Sequence, residues 1–144
     1  MISKSFANSV NAAIFGGVSL DIDNWYFGFS TMALDEDGNI PDNAEPKVTG
    51  YSRIPMPNTS EYFNTPAYYS TSPISSVTNA KDIAFKIISG SNGSAVIVTH
   101  WFLSNSQTDN VAQVWGEFKN PISLTGGATI RIPAGNLFLT INNG

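Results

Sequence analysis

The chain has 144 residues and a mass of 15.5 kDa, with 42% hydrophobic and only 12% charged residues, a net charge of −4 and no cysteine. That length suits one hydrophobic core, and the charged share is about half that of an ordinary soluble domain. The lack of cysteine excludes disulfides, thiol chemistry and thiolate metal sites, and the lack of any basic run leaves no footprint for nucleic acid or acidic lipid.

No apolar window is long enough to cross a bilayer as a helix, and the first residues lack the apolar run of a secretory leader. The surface must therefore be built from Ser, Thr, Asn and Gly. Such a surface can meet copies of itself without stripping water from many ions, so the composition points to assembly.

In chain order, residues 2–15 form the only good helix candidate. Ile2, Phe6, Val10 and Ile14 recur every four residues, Ser3 or Ser5 offers a cap, and Gly16-Gly17 ends the pattern. The apolar stripe needs a partner, either the chain's own sheet or a neighbouring subunit. Residues 25–31 alternate as a strand with Trp25, Phe27 and Phe29 on one face. Gly28 among these aromatics predicts close approach of another backbone, or a bulge.

Residues 33–50 read as a long acidic loop with a turn at Asp37-Gly38. Tyr51–Ile54 reads as a short strand stopped by Pro55 and Pro57. Residues 55–80 lack periodicity but hold Tyr62, Phe63, Tyr68 and Tyr69, so they predict an ordered excursion able to touch a partner.

The second half is regular. Residues 82–88 alternate, and 89–94 form a turn. Residues 95–103 are apolar on both faces, with Val96, Val98, His100 and Phe102 one way and Ile97, Thr99, Trp101 and Leu103 the other. This predicts a central strand. Strands at 111–118, 128–132 and 136–141 follow. Trp25, Trp101 and Trp115 are the expected core. The sum is a mostly β fold, an antiparallel β-sandwich of jelly-roll type with a short N-terminal α-helix. Residues 1–17 would be the helix packed on the body or a neighbour, and 18–144 one sandwich domain with its excursion at 55–80.

Chemistry finds little purchase. His100 is the only histidine, and no serine sits in a nucleophile elbow. Glu61, Asp82, Asp109 and Glu117 have no settings that pair them as glycosidase carboxylates. Asp35, Asp37, Asn39 and Asp42 have oxygen ligands suited to a weak cation site. The helical calcium-loop pattern fails, because Ile40 and Pro46 stand where it needs Gly and Glu. Tyr51, Tyr62, Tyr68 and Tyr69 are the rings on which a glycan would stack. No catalytic residue, metal or cofactor is expected.

Several segments carry a resemblance in order: Asn11-Ala-Ala-Ile-Phe-Gly-Gly17, Gly28-Phe-Ser-Thr31, Gly50-Tyr-Ser-Arg-Ile54, Ile83-Ala-Phe85, Val98-Thr-His-Trp-Phe-Leu-Ser104 and Gly127 to Ile141. Together they resemble a family of small tailed-bacteriophage structural proteins, commonly labelled tail fibre or minor tail proteins. The resemblance implies a virion component of tail, fibre or baseplate that binds copies of itself and other phage virion proteins. Head decoration or a neck position is the alternative, and a host-glycan-binding module at the tail tip is another. Phe6, Val10, Ile14, Tyr62, Phe63, Tyr68 and Tyr69 are then the residues expected to dock the helix or a partner.

Overall fold

The computed structural model describes residues 1–68, 75–88 and 95–141. The expected turn at 89–94 and Tyr69 lie outside the described residues. The fold is mostly β and sandwich-like, with several antiparallel sheets and one N-terminal helix.

Helix α1 spans Lys4–Phe15. Ser3 caps it, its hydroxyl accepting from the Phe6 N–H at 3.2 Å. Gly17 ends it in the left-handed region (φ 67°), where glycine carries no steric penalty. The strands are β1 (Asn24–Ser30), β2 (Ile54–Pro57), β3 (Ala67–Tyr68), β4 (Ser75–Thr78), β5 (Ile83–Lys86), β6 (Val96–Ser104), β7 (Val114–Leu124), β8 (Thr129–Ile132) and β9 (Phe138–Ile141). They form a four-stranded sheet in the order β2-β1-β6-β7, a three-stranded sheet β3-β4-β9 and a two-stranded sheet β5-β8.

Pro55 and Pro57 do not stop the second strand. They lie inside β2, opposite Tyr26 and Asn24. β2 is an edge, where a missing N–H can face away from the ladder. The 55–80 excursion accordingly contributes most of β2, all of β3 and all of β4.

The four-stranded sheet is apolar on both faces. Register places Phe27 opposite Leu103 and Phe29 opposite Trp101 on one face, and Gly28 opposite Phe102 on the other. The first face meets β5, β8 and β9. Phe27, Phe29, Met56, Ile83, Phe85, Ile87, Leu103 and Leu137 are buried in one cluster. Phe29 and Phe85 are 4.6 Å apart between ring centroids, within the range where aromatic pairs add to plain burial. The second face is covered by the acidic loop: Leu34, Ile40 and Ala44 bury Phe102, Ala112 and Trp115. Trp115 is thus fully buried, while Trp25 and Trp101 sit half-buried at the rim of the first cluster.

β6 does not alternate throughout, although its sequence predicts that it would. Val98 and Leu103 share a buried cluster, although strict alternation puts residues five apart on opposite faces. The phase changes where the β6–β7 register shifts, between Val98 and His100. There the Thr99 hydroxyl and His100 Nδ1 lie 2.7 Å apart, so neighbouring side chains meet. A bulge of this kind re-aims a strand, and here it serves two cores in turn. Across the shift β7 continues through Pro121 to Leu124.

Asn79, fully buried, ties the sheets together. Its amide donates to the carbonyls of Lys81 and Pro133 at 2.8 and 3.1 Å and accepts from the Leu137 N–H at 2.9 Å.

Gly28 is needed for an aromatic ring rather than a backbone. A Cβ there would overlap the Phe102 ring and come within 2.9 Å of the Tyr51 hydroxyl. Gly28→Val should therefore lower unfolding free energy by about 1–3 kcal/mol through overpacking. Urea denaturation measures it, and an unchanged midpoint would refute this account of the packing.

Candidate interaction surface

The start of the chain is pinned to the sheet. Ile2 bridges Val114, the Ser3 N–H donates to the Gln113 carbonyl at 2.9 Å and the Trp115 N–H to the Met1 carbonyl at 3.0 Å. The Met1 amine donates to the Trp115 carbonyl at 2.6 Å, and burial lowers its pKa. These residues extend the sheet beyond β7. Lys4 pairs with Glu36 at 2.7 Å, so the helix leaves from a fixed point.

From there α1 is only half dressed. Phe6 sets its ring edge-on to Trp25, 5.7 Å between centroids. Phe6 and Val10 are half-buried, yet no residue of the helix is fully buried. Its far end stands clear: Ile14 is 64% and Phe15 85% exposed, followed by Val18 at 58% and Leu20 at 40%. Isolated exposed hydrophobics are ordinary, but four within seven residues form a patch.

Beside the near end of α1 lies an open groove of about 920 Å3. Phe6, Trp25, Phe63, Leu103, Val114 and Leu139 form its apolar wall, and residues 58–60 and 64–66 its rim. No Asp, Glu, Lys or Arg side chain lines it among the described residues.

The residues expected to dock the helix or a partner therefore divide. Phe6 and Phe63 meet in this groove. Tyr62 packs on the core with the Lys81 ammonium 4.5 Å above its ring. The Tyr68 backbone pairs with Ser75. Ile14 stays apart at the exposed end. Phe15, Val18 and Leu20 were not expected there. Phe15 lies off the four-residue stripe, and only its place before Gly16-Gly17 hinted at an exposed end.

The acidic loop is a structural cover. Asp35 Oδ1 accepts from the N–H groups of Asp37 and Asn39 at 3.0 and 2.9 Å, and Oδ2 from the Asn39 amide at 2.8 Å. The turn at Asp37-Gly38 follows, with Gly38 at φ 82°. Among the described residues no group of three or more His, Asp or Glu side chains converges as metal ligands.

The loop's far end is held by a network that sequence reasoning missed. The Arg53 guanidinium clasps Glu45 with two hydrogen bonds of 2.9 and 2.8 Å and lies 5.0 Å over the Phe102 ring. It also donates to the Ser106 carbonyl at 2.8 Å. The Tyr51 hydroxyl donates to Glu45 at 3.0 Å and accepts from the Phe29 N–H at 2.9 Å. Burial, and then the Glu45 carboxylate, push the Tyr51 phenol pKa far up.

The remaining carboxylates have structural partners or stand apart. Glu61 pairs with Lys81. Asp82 pairs with Arg131 and accepts from the Ala134 N–H at 2.8 Å. Glu117 lies opposite His100 across β6 and β7, and Asp109 sits in the turn after β6, accepting no hydrogen bond among the described residues.

Arg53→Met should cost about 2–4 kcal/mol, since it leaves Glu45 without its cation and frees the loop from the sheet. Arg53→Lys should not restore the loss, because an ammonium lacks the two-pronged geometry. Urea melts of the two variants decide this, and a wild-type midpoint in either would exclude the staple.

The pH dependence has a definite sign. Hydrogen bonds from Asn39 hold the Asp35 carboxyl below its ordinary pKa, as the Ala134 N–H and then Arg131 hold Asp82. Folded pKa values below the unfolded ones add stability that is complete above about pH 4–5 and lost as pH falls through the folded values. Thermal melts from about pH 6 down to pH 2 should fall less steeply for the double variant Asp35→Asn/Asp82→Asn. An identical slope would place the acid sensitivity elsewhere.

No curated protein matches the chain. A family model described as podophage GP4 fiber I protein gp80 matches residues 1–140, nearly the full length. A half-docked helix and a neutral groove on a stapled β body suit the contacts of an assembly, and the chain belongs to this podophage fibre protein family, as a structural component of the virion.

Proposed function

We propose that the chain is a building unit of the tail fibre apparatus, acting through contacts with copies of itself and with other virion proteins rather than through catalysis. One observation carries the reading: the fold gathers four exposed hydrophobics at one helix end and lines one groove with no charged side chain among the described residues, while Asp35, Glu36, Glu45, Glu61 and Asp82 are taken up in loop closure and ion pairs. A low-charge surface of this kind loses few hydrated ions on contact.

The glycan-binding alternative has less support. Tyr51 is committed to Glu45 and Phe29, and Tyr62 lies under Lys81. That reading then rests on Tyr68 and Tyr69. Head decoration or a neck position would need the same neutral body.

The test is location. Gold-labelled antibody against the chain should mark the tail region of intact particles in electron micrographs. Label spread over the capsid surface would overturn the fibre reading in favour of decoration.

A further inference from the structure

The exposed helix end and the groove are two different surfaces of one chain, and their chemistry matches. The groove carries no ionisable side chain among the described residues; the one formal charge at its border, the Met1 amine, is already bonded to the Trp115 carbonyl. An occupant with charged side chains would be desolvated there without a partner. Residues 5–20 contain no ionisable side chain at all, and they end in the exposed patch of Ile14, Phe15, Val18 and Leu20. The neighbouring exposed surface is different in kind, holding ion pairs such as Lys4–Glu36 and Lys81–Glu61.

The patch cannot serve its own groove. Phe6 lines that groove, and Phe15 lies nine residues further along the same helix, about 13 Å up its axis. A hydrogen-bonded helix capped by Ser3 and held at its start by Lys4–Glu36 does not fold back on itself, and Val18 and Leu20, which follow it, are exposed and do not line the groove. The patch is therefore open to a second molecule.

We propose that the Ile14–Leu20 segment of one copy seats in the groove walled by Phe6, Trp25, Phe63 and Leu139 of a second copy, with Phe15 as the anchor. The inference rests on the structural reading above and names its contact. Phe15 is the most exposed large side chain of the patch, and an aromatic ring entering an apolar pocket is the usual form of a binding hot spot. Gly17, in the left-handed region at φ 67°, turns the backbone just after it, and a side chain there would meet open space apart from its chain neighbours. Because the two surfaces differ, the contact is head-to-tail. Repetition then closes a ring or extends a filament, rather than stopping at a two-fold dimer.

The experiment uses the full chain in analytical ultracentrifugation over a concentration series. One variant, Phe15→Asp, disables the segment. The other, Ser60→Arg/Thr65→Arg, obstructs the rim of the groove. All three positions are exposed, so the fold should persist, and circular dichroism checks it. Wild type should grow with concentration, and each variant should associate at least about thirtyfold more weakly. An equimolar mixture of the two should form a one-to-one dimer and nothing larger, because one intact segment meets one intact groove. A monomeric wild type, a variant that assembles as wild type does, or a mixture that stays monomeric would each overturn the proposal. A chain found monomeric in solution but labelled on the tail would remove this contact and leave the fibre reading standing.

Discussion

The central four-stranded sheet buries aromatic side chains on both faces, and the rest of the chain is arranged to cover them. Phe27 and Phe29 point one way, and Phe102 the other, with Trp115 beside it. A sheet of this kind cannot leave either face to water. Among the described residues there is one short helix, and the strands beyond the central sheet are mostly of four residues. One face is closed by small sheets. The other has only a loop to close it, so the loop must behave as a core element.

That demand explains the polar network at its end. A loop over an aromatic sheet gains from burying Leu34, Ile40 and Ala44 only if its backbone stays in one conformation. The Asp35 turn fixes one end and the Glu45–Arg53–Tyr51 cluster fixes the other. Arg53 suits the second task because one planar group binds a carboxylate, a backbone carbonyl and an aromatic face together. The acidic excess of residues 18–46 is thereby explained in part. Asp35 closes a turn, Glu36 pairs with Lys4, and Glu45 holds the loop through Arg53.

Much of this was legible in the sequence, for physical reasons that vary by element. Period-two alternation located β1 and β5, because Phe27 and Phe29, and likewise Ile83 and Phe85, turn to one face of their strand and into the same core. The Ser3 cap and Gly16-Gly17 stop bounded α1 closely. β2 was misplaced because proline was read as a terminator, when an edge strand tolerates it. The face reversal in β6 was hidden, since a bulge depends on the partner strand's register rather than on residues in β6 itself. The loop core was missed because Leu34, Ile40 and Ala44 are too widely spaced for any period. The docking residues were only partly readable. The four-residue stripe found Phe6 and Val10, which meet their own fold, while the exposed end depends on how far the body reaches under the helix.

That reach gives the molecule its asymmetry. One end of α1 is fixed by backbone hydrogen bonds at Met1 to Ser3 and by the Phe6–Trp25 contact. The other ends in Ile14 and Phe15, both largely exposed. A helix of twelve residues is marginal by itself in water, so its unsupported end gains by being covered. A free monomer would more economically end the helix at Val10 or replace Ile14 and Phe15 with polar residues. Keeping both, in a chain with little charge to hold copies apart, makes sense where the covering surface is supplied by the assembly that a fibre protein helps to build.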